Sequence, residues 1–447
     1  MTTVFRSWPA PARRPDRRFV SLAALVAALF FVLPQAAAAQ DPTFRSVSLD
    51  DAIRIAIERN PGLDQARTNV EGADYNKLAT VGGFLPDLSM RYGYSNSSTG
   101  RLDPTGQGIV STSYTVQLSA SYDLFTGFRR FADMKTANLG VQEQNARLRQ
   151  TQYETIRLVK QAYFNAVAAR ALVTVEQDRV ARLEDQLNFV EQQLELGRAT
   201  RSDLLRSQVD LNAAKLNLLN AENGTRTTAF RLTEVIGAEQ SVAPEPSATL
   251  EAPPFPYDRD QLIDIAVVSA PSVVTAIVAT DAAESSVSSA RSAYLPSLAF
   301  SGGYAWANQE FPPSNRSWSL SVSGSYPLFN GFTRENNVYQ AQVRADNARS
   351  QERSARLALR ADLEAAYSTM QSANAGIDLA EENVELSGES LRVEQERYRL
   401  GLSTILDLQL AQITLSQAEV DLIQRRFDFL LAVALIESLL GQDLIDR

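Results

Sequence analysis

The sequence predicts an α+β membrane protein built twice over. Each half carries two extended segments of membrane-spanning size and one very long helical hairpin. Three observations lead there. The 447 residues contain two copies of one pattern. In each copy a stretch of period two gives way to about 70 residues of helical period. The extended stretches set rings and aliphatic groups on one face against small polar groups on the other.

Composition narrows the chemistry before any motif is read. Hydrophobic side chains are 45% and charged ones 21%, so the chain buries a large core and is not disordered. His and Cys are both 0 and Met is 4, which removes imidazole bases, thiolate nucleophiles, disulfides and nearly all soft metal ligands. No cofactor or metal site is expected. Acidic residues outnumber basic ones 52 to 43, and a net charge of -9 repels polyanions, so no nucleic-acid partner is expected. There is no Gly-rich phosphate loop ending in Lys and Ser or Thr. Hydrolysis by paired carboxylates needs two acids facing each other in a cleft, whereas the acids here sit on helical stretches among Arg, Gln and Asn. An enzyme is not predicted.

The N-terminus reads as an address. Arg13, Arg14, Arg17 and Arg18 precede an apolar run from Phe19 to Leu33, and Ala36 to Ala39 offer small side chains before Gln40. As a helix that run spans only about 22 Å, short of the roughly 30 Å hydrocarbon core, so residues 1–39 are expected to be a cleaved signal peptide. Without Cys the mature end cannot be lipidated as a bacterial lipoprotein. No further stretch of 18 apolar residues is expected, which leaves strands as the route across a bilayer.

The repeat is marked by short motifs. Asn60-Pro61 recurs as Ala270-Pro271, and Phe84-Leu85-Pro86 as Tyr294-Leu295-Pro296, both displaced by 210. Leu124-Phe125-Thr126-Gly127-Phe128 recurs as Leu328-Phe329-Asn330-Gly331-Phe332, and Gly197 and Gly237 as Gly401 and Gly441, all displaced by 204. Six residues are therefore missing between Pro296 and Leu328, as a tolerant loop allows. The expected organisation is a first repeat over 40–242, a Pro-rich, semi-rigid linker over 243–258 and a second repeat over 259–447. Ser48 with Asp51, and Asp258 with Gln261, resemble capping boxes that start a helix in each half. Each helix is expected to run to its Leu-Pro pair.

Period two follows. Strands are expected at 88–96, 114–123, 298–307 and 318–326, each about ten residues long. Tyr92, Tyr94, Tyr114, Val116, Leu118, Tyr122, Phe300, Tyr304, Trp306, Trp318, Leu320 and Val322 form the face expected to meet lipid. Four strands cannot close a barrel with a lumen, since even narrow outer-membrane barrels use about eight. Three copies would supply 12. The alternative is a periplasmic or surface coiled-coil scaffold or adhesin, whose strands form an ordinary soluble sheet over a core.

Beyond Gly127 and Gly331 the pattern is helical up to Gly197 and Gly401, on the order of 100 Å. Val173, Val180, Leu183, Leu187, Val190 and Leu194 make a heptad seam, and Ile377, Val384, Leu391 and Tyr398 keep its register in the second half. Past each glycine the chain turns back, with Val209 and Leu216 matched by Ile413 and Val420 on returning helices.

This order of helix, Leu-Pro, strand, loop, strand, Leu-Phe-x-Gly-Phe and long hairpin, written twice, resembles the TolC family of outer-membrane efflux and secretion channels over the whole mature chain. The resemblance implies a homotrimer with a 12-stranded β-barrel in the outer membrane and a coiled-coil α-barrel reaching far into the periplasm. It implies a passive exit duct for a tripartite efflux pump or a type I secretion system. Its partners would be a periplasmic adaptor (membrane fusion) protein and, through it, an inner-membrane pump, proton-driven or ABC. By the same resemblance Gly197, Arg198, Ala199 and Thr200, with Gly401, Leu402, Ser403 and Thr404, match tips that meet the adaptor. Asp203 and Asp407 match an acidic entrance ring, with Leu410 where a second acid commonly stands. Tyr398 matches a latch position, and Arg198 or Arg201 is placed to pair with Asp407. The plainer role for both acids is to cap the returning helix.

Overall fold

In the computed structural model the described residues are 44–102 and 109–444, and the expected signal peptide lies outside them. The chain runs β1 (Arg45–Val47), α1 (Leu49–Arg59), α2 (Pro61–Gly82), β2 (Asp87–Leu102), β3 (Ile109–Phe125), α3 (Arg129–Glu195) and α4 (Arg201–Ile236). The second half follows as β4 (Val242–Pro244), α5 (Arg259–Ser269), α6 (Pro271–Arg291), a 3₁₀ turn, β5 (Ser297–Asn308), β6 (Asn315–Ser325), α7 (Thr333–Arg399) and α8 (Ile405–Leu440).

The opening helix of each half is broken before it reaches its Leu-Pro pair. A proline forces the residue before it out of helical space, and Asn60 and Ala270 sit at ψ 123 and ψ 119. Asn60 then caps the next segment, its side-chain oxygen accepting from Gly62 N at 2.8 Å. Ser48 and Asp258 cap α1 and α5 through Asp51 and Gln261. The stretch Arg259–Tyr294 contains 18 residues apolar enough to cross a membrane, contrary to the sequence expectation. Of this stretch Leu262, Ala266, Val273 and Val278 are buried against protein, while Val267 and Val268 are exposed.

α3 and α7 have 67 residues each, roughly 100 Å of helix, and α4 and α8 return along them for 36 residues. The main core lies where α1, α5 and the linker wrap the middle of these hairpins. Phe429, Ile53, Leu232, Leu262, Leu363 and Ile436 are almost fully buried there. The linker packs onto this core. Its start, β4, pairs in parallel with β1, Leu250 is buried, and Phe255 and Tyr257 pack on the core. Arg170 donates to Glu245 O at 2.7 Å and Ala248 O at 2.6 Å, tying the linker to α3.

Toward the tips each hairpin has its own small apolar seam. Leu183 packs with Leu211 and Ala214, flanked by Val180 and Leu187. Leu391 packs with Leu408, Ala411 and Leu415, flanked by Val384 and Tyr398. Val209, Leu216 and Ile413 face outward instead. So do Leu379, Leu386 and Val393 on α7 and Leu400 just past its end, spaced by seven.

Candidate functional site

The far end of the molecule is a four-stranded antiparallel sheet in the order β2-β3-β5-β6. Its rows alternate cleanly. Tyr92 faces Val116, which faces Trp306; Met90, Leu118, Tyr304 and Trp318 form the next row, and Tyr122, Phe300 and Val322 another. Tyr94 lies 5.1 Å from Tyr114, and Leu320 is on the same face. The face predicted from alternation is thus a continuous apolar surface, with Trp318, Leu320 and Val322 all at least 65% exposed. On the opposite face Ser89 and Ser119 hydroxyls meet at 2.8 Å, and Ser301 and Ser321 at 2.7 Å. Among the described residues neither face rests on a core, and β2 and β6 each have one unpaired edge.

The first hairpin's strands, at 16 and 17 residues, are longer than the 12 and 11 of the second. The missing residues thus come out of the strands, since six residues separate the paired strands in both halves. A bulge between Asp123 and Phe125 brings Phe125, not Leu124, opposite Leu298 on the apolar face. Alternation gave no sign of it. Phe125, Phe128, Phe131 and Phe84 then stack in a chain of rings 5.4, 6.4 and 5.6 Å apart. The Arg130 guanidinium lies 5.3 Å from the Phe84 ring and 5.3 Å from that of Tyr122. This girdle marks the end of the strand face where the helices begin.

At the opposite end, α3–α4 and α7–α8 turn through nearly identical tips. Gly197 and Gly401 adopt φ +70 and +74, a left-handed region that favours glycine. Arg198 N and Leu402 N then reach back to Gln193 O and Arg397 O, each at 2.7 Å. Thr200 and Thr404 begin the returning helices. Asp203 Oδ2 accepts from Thr200 N at 3.0 Å and its hydroxyl at 2.7 Å, and Asp407 Oδ2 does so from Thr404 at 2.9 and 2.7 Å. Both acids therefore close capping boxes within the chain. The backbone N–H and hydroxyl of Thr404, aided by Arg397, hold the Asp407 carboxyl below its ordinary range.

Between the tips lies a cleft of about 780 Å³ lined by Phe189, Arg198, Asp203, Tyr398, Ser403 and Thr404 among others. The Phe189 and Tyr398 rings meet at 5.9 Å. Burial, then the Asp203 carboxylate, push the Tyr398 phenol upward. Ser403 Oγ is buried without a hydrogen-bond partner. The structure thus brings Tyr398 and Asp203 to one cleft. It does not bring Asp407 into an ion pair with Arg198 or Arg201, which make none among the described residues. Leu410 and Leu402 are exposed beside the tip.

The profile of the outer membrane efflux protein family matches residues 52–238 and 262–442, both repeats. The chain belongs to that family. Curated relatives include the outer membrane efflux protein BepC of Brucella suis, 22% identical over 90% of this chain and 87% of its own. TolC of Vibrio cholerae is 23% identical over 88% and 91%. Crystal structures of CusC share the fold, with a TM-score of 0.78 at 19% identity, covering 90% of this chain and 94% of theirs. This efflux protein is thus an outer-membrane protein whose long helical hairpins form its periplasmic extension. Its family comprises efflux proteins rather than enzymes.

Proposed function

We propose that three copies of the efflux protein close a 12-stranded barrel through the outer membrane, continued by a ring of helical hairpins in the periplasm, and that the assembly is a passive exit duct. The unclosed sheet carries this reading. Its apolar face has the length and composition for lipid, its serine face suits water, and its two bare edges are tolerable in a bilayer only when paired. β2 and β6 run in opposite directions, so the edges of neighbouring copies meet antiparallel, as every other pair in the sheet does.

The tips are the working end in this reading. The turns at Gly197–Thr200 and Gly401–Thr404 receive the hairpin of a periplasmic adaptor, and the inner-membrane pump, proton-driven or ABC, supplies the energy. Tyr398 and Asp203 hold the two hairpins of one copy together at the entrance. Copies of Asp407 around the axis form a single acidic ring, with Arg201 of a neighbouring copy as its counter-charge. Tripartite drug efflux and type I secretion share this geometry.

The test is direct. The purified protein should run as a heat-sensitive trimer and give discrete conductance steps in planar bilayers, with Asp407→Asn reducing cation selectivity. A monomer that stays in the periplasmic extract and never conducts refutes the duct.

A further inference from the structure

We infer that Arg316, flanked by Trp306 and Trp318, forms a site on the outside of the barrel for the phosphate of a phosphorylated glucosamine lipid in the outer leaflet. The inference rests on the duct proposed above, which puts this face of the sheet in lipid, and adds to it a ligand of stated chemistry.

Arg316 is the second residue of β6, beside the connection from β5. It faces Trp306, and Trp318 follows two residues later on the same face. Arg316 therefore belongs to the apolar surface and not to the serine one, which β6 supplies through Ser317, Ser319, Ser321 and Ser323. It is exposed, and among the described residues it has neither an ion pair nor a hydrogen-bond partner. No Asp or Glu stands on this face in any paired row of the described strands, since Asp87 and Asp123 lie on the other face. A guanidinium does not shed its charge, so an arginine here needs water or an anion from outside the chain.

Height along the strand selects the source of that anion. Gly324 lies in the row of Phe125 and Leu298, where the girdle begins, and Arg316 is eight residues away from it along β6. At about 3.4 Å per residue and a tilt of about 40°, this is roughly 21 Å across the membrane, against an apolar band about 25 Å tall. Arg316 thus reaches the top of the band at the end remote from the helices, where headgroups replace acyl chains. An arginine at that level keeps its stem along apolar surface and its fork among the headgroups. The fork matches two phosphate oxygens at once. Tryptophans favour the same level, and the negative faces of their rings suit the C–H edges of sugar rings.

The internal repeat shows that the fold does not demand this cation. In the first half the facing pair Trp306 and Arg316 is represented by Asn96 and Thr112, which also face each other. Close by, the halves agree better: Tyr304 stands where Tyr94 does, and Leu320 where Val116 does. The charge is confined to one half, so each chain carries one site.

The sequence supplies a reporter. Of its 3 tryptophans Trp8 lies in the expected signal peptide, so the indoles of the mature chain are the two that flank Arg316. Delipidated protein in a fixed concentration of non-ionic detergent is titrated with lipid A carrying both phosphates, and indole emission is followed. A saturable change at one lipid per chain is expected. Arg316→Gln should weaken it by about tenfold or more, and lipid A stripped of its phosphates should bind the parent as weakly. R316Q should still run as a heat-sensitive trimer with the parent's conductance steps. Equal titrations of parent and R316Q, or of lipid A with and without phosphates, overturn the site while leaving the duct standing. The same response to inorganic phosphate alone, or to phosphatidylglycerol at equal concentration, overturns the glycolipid as its occupant. If the parent itself neither runs as a trimer nor conducts, the duct reading falls, and the site loses its leaflet with it.

Discussion

Replacing Lys160 by Met tests how the two halves are locked together. Lys160 Nζ on α3 pairs with Glu437 Oε2 on α8, and the side chains are only 11% and 2% exposed. Glu437 Oε1 accepts one further bond, from Leu444 N at 3.3 Å. Around them Val159, Ile436 and Leu440 are fully buried, so little water can replace the ammonium. Lys160→Met keeps the stem and strands a buried carboxylate on a single amide. The expected cost is about 3–5 kcal/mol, because a lone buried charge loses its compensation while keeping its desolvation penalty. The double variant K160M/E437L removes that penalty together with the pair and should recover most of the loss. Urea titration of helical circular dichroism, at fixed detergent and protein concentration, reads the difference as a shift in midpoint. Removing the exposed Arg392–Glu389 pair with R392M should leave the midpoint unchanged. The reasoning fails if K160M lies within about 0.5 kcal/mol of the parent, or if the double variant is no better than K160M alone.

Three further outcomes follow from local geometry. Gly127→Ala combines φ +61 with a contact of 2.5 Å to Ser292 O, so the melting temperature of the protein should fall. Gly331→Ala should lower it equally if a neighbouring copy occupies the matching space, and less if none does. Thr404→Ala removes the cap of α8, so amide exchange over 405–408 should speed up by on the order of five-fold while the core around Phe429 stays protected. Since Thr404 holds the Asp407 carboxyl low, this cap is intact above the ordinary aspartate pKa and is lost as pH falls through the depressed one. Glu419 behaves in the opposite sense. Burial pushes its carboxyl up, with Asp178 and Glu176 adding to the rise and Arg182 opposing it. Its penalty is absent below the ordinary glutamate pKa and complete above the raised one, so Glu419→Gln should stabilise the protein at pH 7 and leave it unchanged at pH 4.

What could be read from the residues, and what could not, divides along a physical line. Period two is a local property, so the faces of Leu88 to Tyr94 and of Trp318 to Val322 were legible before any coordinate. The bulge at Asp123–Phe125 was not, because one extra residue changes a face without changing composition. β1 and β4 are three residues each and pair across most of the first repeat, too short for any pattern to announce. The break at Asn60 follows from its proline, yet the helix resumes at once in α2, so the two segments read as one. At the tips, an acid six residues after a glycine serves equally well as a cap or as an entrance charge. The capping boxes of Asp203 and Asp407 establish the first role, and the second depends on neighbours outside the chain.

The heptads make the same point about partners. Leu183 and Val190 on α3 and Leu379, Leu386 and Val393 on α7 are all stripes of regular helical spacing, but the first is buried within its hairpin and the second faces out. Spacing identifies a stripe and is silent about what covers it. Duplication supplies the missing information. Because the halves share one fold, each position has a counterpart whose neighbours are visible, and a counterpart buried by the other half predicts burial by another copy. Tyr75 is bare where Ser285 is sealed, and Gly331 is open where Gly127 is crowded. In the proposed assembly a chain with two halves satisfies one of its two joints internally and a second molecule meets the other, so that the ring leaves no joint unmet.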